Sequence, residues 1–293
     1  MTDLLPVTVI GGYLGSGKTT MVNHLLRHAN GLRLAVLVNE FGELPIDADL
    51  IEAEDDDIIS IAGGCVCCSF GSDLVGALME MAKLDPQPDH LLVESSGVAI
   101  PSAIVGSLSL LEGFRTDGIV VVADAETVRR SARDKYMSDT VLRQITDANI
   151  IILNKTDLVE APDLEDTERW IKEQNTSVRI IKAEHSAVAP EAVLDSFLGH
   201  VAASDRHQHT QNLEVITLTL SAPVDVEDLA QTLANDQNGL VRAKGFATST
   251  SGQKNLIQVV GNRWTITEAP DHMADGIVGL GFKGAISGLD RFQ

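Results

Sequence analysis

Aromatic residues are scarce in this chain. They make up 4% of its 293 residues, so any core must be built from aliphatic side chains. Basic residues are scarce as well: 22 Lys and Arg stand against 42 Asp and Glu, for a formal net charge of −20. A field of that sign argues against nonspecific nucleic-acid binding and against adhesion to anionic membranes, and it favours solubility. No apolar run reaches the ~18 residues of a membrane-spanning helix. The opening stretch Met1-Thr2-Asp3-Leu4-Leu5-Pro6 has no basic n-region, so a cytoplasmic, reducing location is expected. There is no internal repeat and no low-complexity segment. The most informative shortage is cysteine. The whole chain has three, and all fall between positions 65 and 68. Three neighbouring thiols in a reducing compartment do not make a disulfide framework.

What is present begins with Gly12-Tyr13-Leu14-Gly15-Ser16-Gly17-Lys18-Thr19, which fits the P-loop pattern G-x-x-x-x-G-K-S/T. The flanks are right for it. Val7 to Ile10 is a short β-branched apolar run that reads as a buried strand. From Thr19 to Arg27, Met21, Val22, Leu25 and Leu26 recur at helical spacing. Gly12, Gly15 and Gly17, with Ser16 between the last two, let the backbone N–H groups turn toward a phosphate. The helix start at Lys18, Thr19 and Thr20 adds partial positive charge. Lys18 reaches the β/γ-phosphates, and Thr19 offers its hydroxyl to Mg²⁺.

Leu34 to Val38 reads as a second buried strand, expected to neighbour the P-loop strand. The loop after it, Asn39 to Asp47, carries Glu40, Glu43 and Asp47. These carboxylates could meet Mg²⁺ or another metal, or simply form a solvated acidic loop. Glu52 to Asp57 is an acidic, solvated face. Gly63-Gly64-Cys65-Val66-Cys67-Cys68 follows. Clustered thiols after a Gly-Gly turn suit a soft ion such as Zn²⁺. A redox relay and a purely structural role are the competing readings.

A helix is expected over Asp73 to Lys83, then a strand, His90 to Val93, ending in Glu94-Ser95-Ser96-Gly97. Glu94 is placed to position Mg²⁺ or its water shell, unless it is an ordinary strand-end carboxylate. The Gly97 N–H is expected near a γ-phosphate. Ile119 to Ala123 is a further strand, capped by Asp124. Ile150 to Leu153 runs into Asn154-Lys155-Thr156-Asp157, an N-K-x-D sequence. Guanine presents N1–H and a 2-amino group as adjacent donors, and the Asp157 carboxylate can accept both; adenine lacks that pair. Asn154 can tie the loop together or meet the ring's N7 and O6, and the Lys155 stem can cover the base. Val178 to Lys182 adds another strand. Strands alternating with helices imply an α/β fold with a parallel sheet covered on both faces. The ligand should lie at the carboxyl ends of its strands.

A polar linker spans 202–212. Beyond it Leu213–Leu220, Leu240–Phe246, Leu256–Val260 and Trp264–Ile266 read as strands. Val226–Leu233 reads as a helix capped by Asp225. Arg242 and Lys244 are either solvated strand charges or contacts to the first domain. The glycine-rich stretch Gly276 to Gly288 has no assigned element.

Taken together, the chain resembles the CobW-type metallochaperone GTPases, relatives of the UreG and HypB nickel-insertion GTPases. The resemblance rests on Gly12 to Thr20, Asn39 to Glu43 with Ile46-Asp47, Gly64 to Cys68, Glu94 to Gly97, Asn154 to Asp157, and Arg242 to Phe246. It implies a P-loop GTPase domain, here 1–201, and a smaller α+β domain, here 213–293. It also implies GTP and Mg²⁺ at the P-loop, with Thr19, Glu40 and Asp47 as further metal-facing residues. Zn²⁺, or Co²⁺ in its place, would sit at Cys65, Cys67 and Cys68. The ion would pass to a client metalloprotein, which could also be a cobalt-dependent system such as cobalamin synthesis or a nitrile hydratase. A noncatalytic metal sensor or buffer is the reading from another class. Oligomeric state stays open, with a metal- or nucleotide-dependent dimer among the options. Many members carry a long histidine run between the domains; here that region has His200, His207 and His209.

Overall fold

The computed structural model describes residues 4–29, 31–39, 59–63, 72–195, 213–220 and 223–292. Its contacts divide the chain into two units, residues 1–176 with 180–196, and residues 177–179 with 197–293.

The first unit is built on one sheet. In chain order its elements are β1 (Leu5–Gly11), α1 (Lys18–Arg27), β2 (Leu34–Asn39), β3 (Ile59–Gly63), α2 (Ser72–Met81), β4 (His90–Glu94), α3 (Pro101–Leu108) and β5 (Phe114–Asp124). Then come α4 (Val128–Ser131), α5 (Ser138–Asp147), β6 (Ile150–Asn154), α6 (Ala161–Gln174), β7 (Arg179–Lys182) and α7 (Pro190–Val193). The seven strands lie in the order β3-β2-β4-β1-β5-β6-β7. The β1–β4, β1–β5, β2–β3, β2–β4 and β5–β6 pairs are parallel.

β1 is buried along its whole length, which is why its sequence is continuously apolar rather than alternating. Leu5, Val7 and Val9 point to one face. There they pack with Leu74, Leu78 and Met81 of α2 and with Ile104 and Leu108 of α3. α1 turns Met21, Val22, Leu25 and Leu26 inward. Each such leucine contributes about 1.5–3 kcal/mol by leaving water.

One expectation from the sequence is corrected by the strand order. β2 does not neighbour the P-loop strand, because β4 lies between them. A central sheet position demands burial on both faces, and the apolar run Leu91-Leu92-Val93 meets that demand with all three residues fully buried. The consequence is functional: Glu94, at the end of β4, sits beside Ile10 at the end of β1. β3 is an element that the apolar pattern before the cysteines did not declare as a strand.

A polar knot interrupts this aliphatic core. Thr8 Oγ1 lies 2.8 Å from His90 Nε2, 3.0 Å from Asp117 Oδ2 and 3.2 Å from the Val193 carbonyl. Asp117 also accepts the Asp195 backbone N–H at 3.2 Å, and Asp195 is ion-paired with Arg115. All the buried polar atoms in this group lie among partners, as burial requires.

The second unit has β8 (Leu213–Leu218), α8 (Val226–Ala234), β9 (Leu240–Thr248), β10 (Lys254–Val260), β11 (Arg263–Glu268) and β12 (Gly276–Phe282). The sheet order is β11-β10-β9-β12-β8, and its four pairings are antiparallel. Asp225 caps α8, accepting from the Glu227 and Asp228 backbone N–H groups at 3.0 and 3.1 Å. Leu229 and Leu233 pack onto Leu240, Ile257, Val259 and Ile277. β8 ends at Leu218, two residues earlier than the pattern suggested. Arg242 is 0% exposed, so it is no solvated strand charge; Lys244 is half-buried. The first half of the glycine-rich stretch, Gly276–Phe282, is a strand, β12, inserted between β9 and β8.

Candidate functional site

The carboxyl ends of β1, β4, β5 and β6 carry the sequence-predicted residues of the P-loop, the Glu94–Gly97 stretch and the N-K-x-D loop on one edge of the sheet. The P-loop leaves β1 at Gly12, whose φ of 137° suits glycine; a Cβ there would collide with the Val122 carbonyl. Gly17 caps α1 in a left-handed conformation, φ 107°. A Cβ at Gly17 would stand 2.5 Å from both Asn154 Nδ2 and Ser186 Oγ. This second requirement is spatial and comes from a loop more than a hundred residues away.

Asn154 is the reason. It is buried at the end of β6, where its Nδ2 donates to the Ser16 carbonyl at 2.9 Å and to Ser186 Oγ at 2.7 Å. Its Oδ1 accepts the Ser186 backbone N–H at 2.7 Å. Ser186 Oγ in turn donates to the Gly17 carbonyl at 2.9 Å. Of the two roles open to Asn154, the structure shows the first: it ties the loops together.

Lys155 follows with φ 61°, and its Nζ donates to Asp124 Oδ2 at 2.7 Å. The other Asp124 oxygen accepts the Glu126 and Thr127 backbone N–H groups at 2.9 and 3.2 Å. Asp124 therefore fixes both its own turn and the lysine. Asp157 stands exposed on a single 3-10 turn, Thr156–Leu158.

On the phosphate side, Lys18 is buried and its Nζ donates to the Tyr13 carbonyl at 3.4 Å. Thr19 Oγ1 donates to Glu94 Oε1 at 2.7 Å. These are hard oxygen donors set side by side, a donor set that suits Mg²⁺ rather than a soft ion. The Ser16 and Ser95 hydroxyls are buried without a protein hydrogen-bond partner. Such orphaned hydroxyls at a P-loop fit a site built around a further polar ligand. Gly97 is buried against the P-loop, since a Cβ on it would stand 2.6 Å from Leu14 Cδ2 and 2.9 Å from Leu14 N. Gly15 and Thr20 lie on the same loop and helix start, both exposed.

Glu40, Glu43, Asp47, Cys65, Cys67, Cys68, His200, His207 and His209 lie outside the described residues. Among the described residues, no group of three or more His, Cys, Asp or Glu is placed to hold a metal ion. No helix of the described residues is long and apolar enough to cross a membrane. Ser186, Asp124 and Gln144 are site residues that no motif announced. Asp124 had a sequence signal, an acidic residue closing an apolar strand. Ser186 had none, and Gln144 looks like any polar residue of an amphipathic helix.

Residues 6–182 match the family described as CobW/HypB/UreG, nucleotide-binding domain. The chain belongs to this family. Residues 213–284 match a second family, the cobalamin synthesis protein CobW C-terminal domain. Similar proteins include the zinc chaperone CobW of Sinorhizobium sp, 28% identical over 88% of this chain and 86% of that protein. The zinc-regulated GTPase metalloprotein activator 1 of Dictyostelium discoideum is also 28% identical, over 93% of this chain and 69% of its own length. The zinc chaperone YjiA of Escherichia coli is 27% identical over 83% and 81%. The crystal structure of Zn(II)-bound YjiA GTPase from E. coli aligns with a TM-score of 0.50 at 21% identity, covering 96% of this chain and 95% of that one. That last likeness concerns the fold. For the CobW/HypB/UreG member described here, Glu94 and Asn154 both join the P-loop, through Thr19 and Ser16.

Proposed function

We propose that this CobW/HypB/UreG protein hydrolyses GTP and uses the nucleotide to govern delivery of Zn²⁺ to a client metalloprotein. The observation that carries the reading is the Asn154 bridge. It fixes the N-K-x-D loop to the P-loop, so phosphates on Gly12 to Thr19 and a base beside Asp157 belong to one ligand. Asp157 accepts N1–H and the 2-amino group of guanine, and Lys155, held by Asp124, lays its stem on the base. Lys18 neutralises the β/γ-phosphates and the charge that develops during transfer. Bound Mg²⁺ would supply further neutralisation there, held through Thr19 and Glu94. The Gly97 N–H, on a loop packed against Leu14 of the P-loop, would meet the γ-phosphate.

Zn²⁺ is cargo in this reading, held by the thiolates of Cys65, Cys67 and Cys68, with the fourth place filled by Glu40, Glu43, a histidine, water or the client. The names of the similar proteins, zinc chaperones and a zinc-regulated metalloprotein activator, support the choice of ion and the existence of a client. Domains over 1–201 and 213–293, a linker over 202–212 and a cytoplasmic location complete the proposal.

The test is turnover by the untagged full chain with GTP and with ATP, in Mg²⁺, with and without Zn²⁺, followed by metal analysis and capture of partners in the GTP state. GTP-selective turnover and co-purified zinc are expected. A protein that hydrolyses neither nucleotide under any of these conditions would end the proposal.

A further inference from the structure

α5 carries one fully polar residue that is almost completely buried. Gln144 is 1% exposed, between Val141 and Ile145 on the inward face. Burying a primary amide is unfavourable unless its hydrogens find acceptors. Both of them do: Nε2 donates to the Gly97 carbonyl at 3.2 Å and to the Ala99 carbonyl at 2.9 Å. These carbonyls belong to the loop that follows Glu94. The loop is thus held from two sides. Leu14 of the P-loop presses on Gly97 from one, and the Gln144 amide grips it from the other.

Gln144 also lines a cavity of about 300 Å³ together with Tyr13 to Ser16, Val121, Val128 and Lys155. A leucine or methionine would fill the same space with less desolvation. An amide at this place is explained by the two carbonyls it fixes. α5 then runs directly into β6 and Asn154, so the element that grips the Gly97 loop also leads into the loop bearing Asp157.

We infer that Gln144 is a positioning residue for hydrolysis. It sets the Gly97 loop against the P-loop, so that the Gly97 N–H and Glu94 keep their places when the γ-phosphate is transferred. Both of its amide hydrogens are spent on the Gly97 and Ala99 carbonyls. The inference rests on the GTPase reading above. Its signature is a loss in the chemical step without a matching loss in GDP affinity, because GDP has no γ-phosphate for the Gly97 N–H to meet.

The experiment compares single-turnover GTP hydrolysis and GDP affinity in wild type, Gln144→Met and Asn175→Ala. Gln144→Met keeps the volume and removes both donors. Asn175 Nδ2 donates to the Ile145, Thr146 and Ala148 carbonyls at the end of α5, so Asn175→Ala reports plain loosening of the helix. Gln144→Met is expected to hydrolyse about ten-fold more slowly with GDP affinity within about two-fold of wild type, whereas Asn175→Ala loses Tm and keeps its rate. Equal rates for Gln144→Met and wild type would overturn the inference. So would a rate loss shared by Asn175→Ala, or one matched by an equal loss of GDP affinity.

Gln144→Glu provides the test if the methionine variant does not fold. Burial raises a carboxyl pKa, so the acid form becomes populated as pH falls and again donates a hydrogen to one carbonyl. The rate relative to wild type should rise several-fold from pH 8 to pH 6; a flat ratio would overturn the inference. A wild-type chain without GTP turnover defeats the functional proposal instead, which separates the two failures.

Discussion

Asn154 and Ser186 hold one another by both ends of the asparagine amide: Oδ1 accepts the Ser186 backbone N–H at 2.7 Å, and Nδ2 donates to Ser186 Oγ at the same distance. The pair then reaches the P-loop through Ser16 and Gly17 carbonyls. Asn154→Ala leaves several buried groups without partners, each worth about 1–3 kcal/mol. The expected outcome is a stability loss of about 3 kcal/mol in urea titration, with GTP affinity reduced at least about ten-fold. A variant that loses GTP affinity with unchanged stability would show that Asn154 contacts the base and is not a brace.

Lys18→Ala removes the cation nearest the expected phosphates. Turnover should fall to background, while zinc binding by the cysteines survives because no thiol is touched. Stopped phosphate release and an intact zinc titration on the same preparation check both halves.

Asp157→Asn exchanges a carboxylate oxygen for an NH₂ donor. GTP should weaken by about 1.5–3 kcal/mol, the range for a hydrogen bond to a charged group. Xanthosine triphosphate, whose C2 oxygen accepts where guanine donates, should become the better ligand. Competition between the two nucleotides on wild type and variant measures the switch.

His24 gives a pH prediction. Burial lowers its pKa below 6.5, the nearby His28 and Arg27 charges lower it further, and the Val188 carbonyl at 2.9 Å opposes them. Below 6.5 the unfolded chain therefore binds more protons at this site than the folded one. Stability rises with pH wherever the unfolded state binds more protons. The His24 contribution is accordingly full above pH 6.5 and is lost as pH falls from there through the lowered folded value. His24→Gln should flatten that segment of a stability profile measured between pH 7.5 and about 5.

Zinc affinity is expected to depend on the nucleotide. Coupling between two ligand sites is typically about 1–3 kcal/mol, so a ratio of about five-fold or more between GTP-analogue and GDP states is predicted. By reciprocity zinc must shift the GTP/GDP affinity ratio by the same factor. A chelator competition in each state measures it, with Cys67→Ala as the variant that loses tight binding in both. Identical affinities would leave delivery to a kinetic or client-driven step.

Much of this arrangement was legible because phosphate and guanine chemistry constrain residues that are close in sequence. Gly12 to Thr19 and Asn154 to Asp157 are such local solutions, and apolar runs marked the strands that carry them. Three things were not local. Strand order is set by which runs tolerate burial on both faces, so β4 displaced β2 from beside β1. Ser186, Asp124 and Gln144 act on residues that the fold alone brings near, and their types are ordinary for loops and helices. The third is β12, hidden by glycines that usually signal turns. In fact, a Cβ at Gly281 would stand 2.7 Å from the Gly239 carbonyl, and one at Gly279 would be 3.0 Å from Leu240 Cδ2. Those glycines answer to crowding between strands. Arg242 was equally opaque: the sequence left it either solvated or touching the first domain, and its full burial removes the solvated reading.

The interior place of β12 has a consequence for synthesis. Among the described residues β8 pairs with β12 alone, and β9 reaches β8 through it. A nascent chain that has emerged as far as Glu268 can assemble β9, β10 and β11, but Leu213–Leu218 waits with an open edge until Gly276–Phe282 leaves the ribosome. Closure of that long loop is a late, non-local event. During the wait an unpaired strand edge is exposed to neighbouring chains. Premature termination before Gly276 should therefore yield a polypeptide whose first unit folds while the second clumps, and arrested-chain proteolysis should find β8 protected only after residue 282 has cleared the exit tunnel.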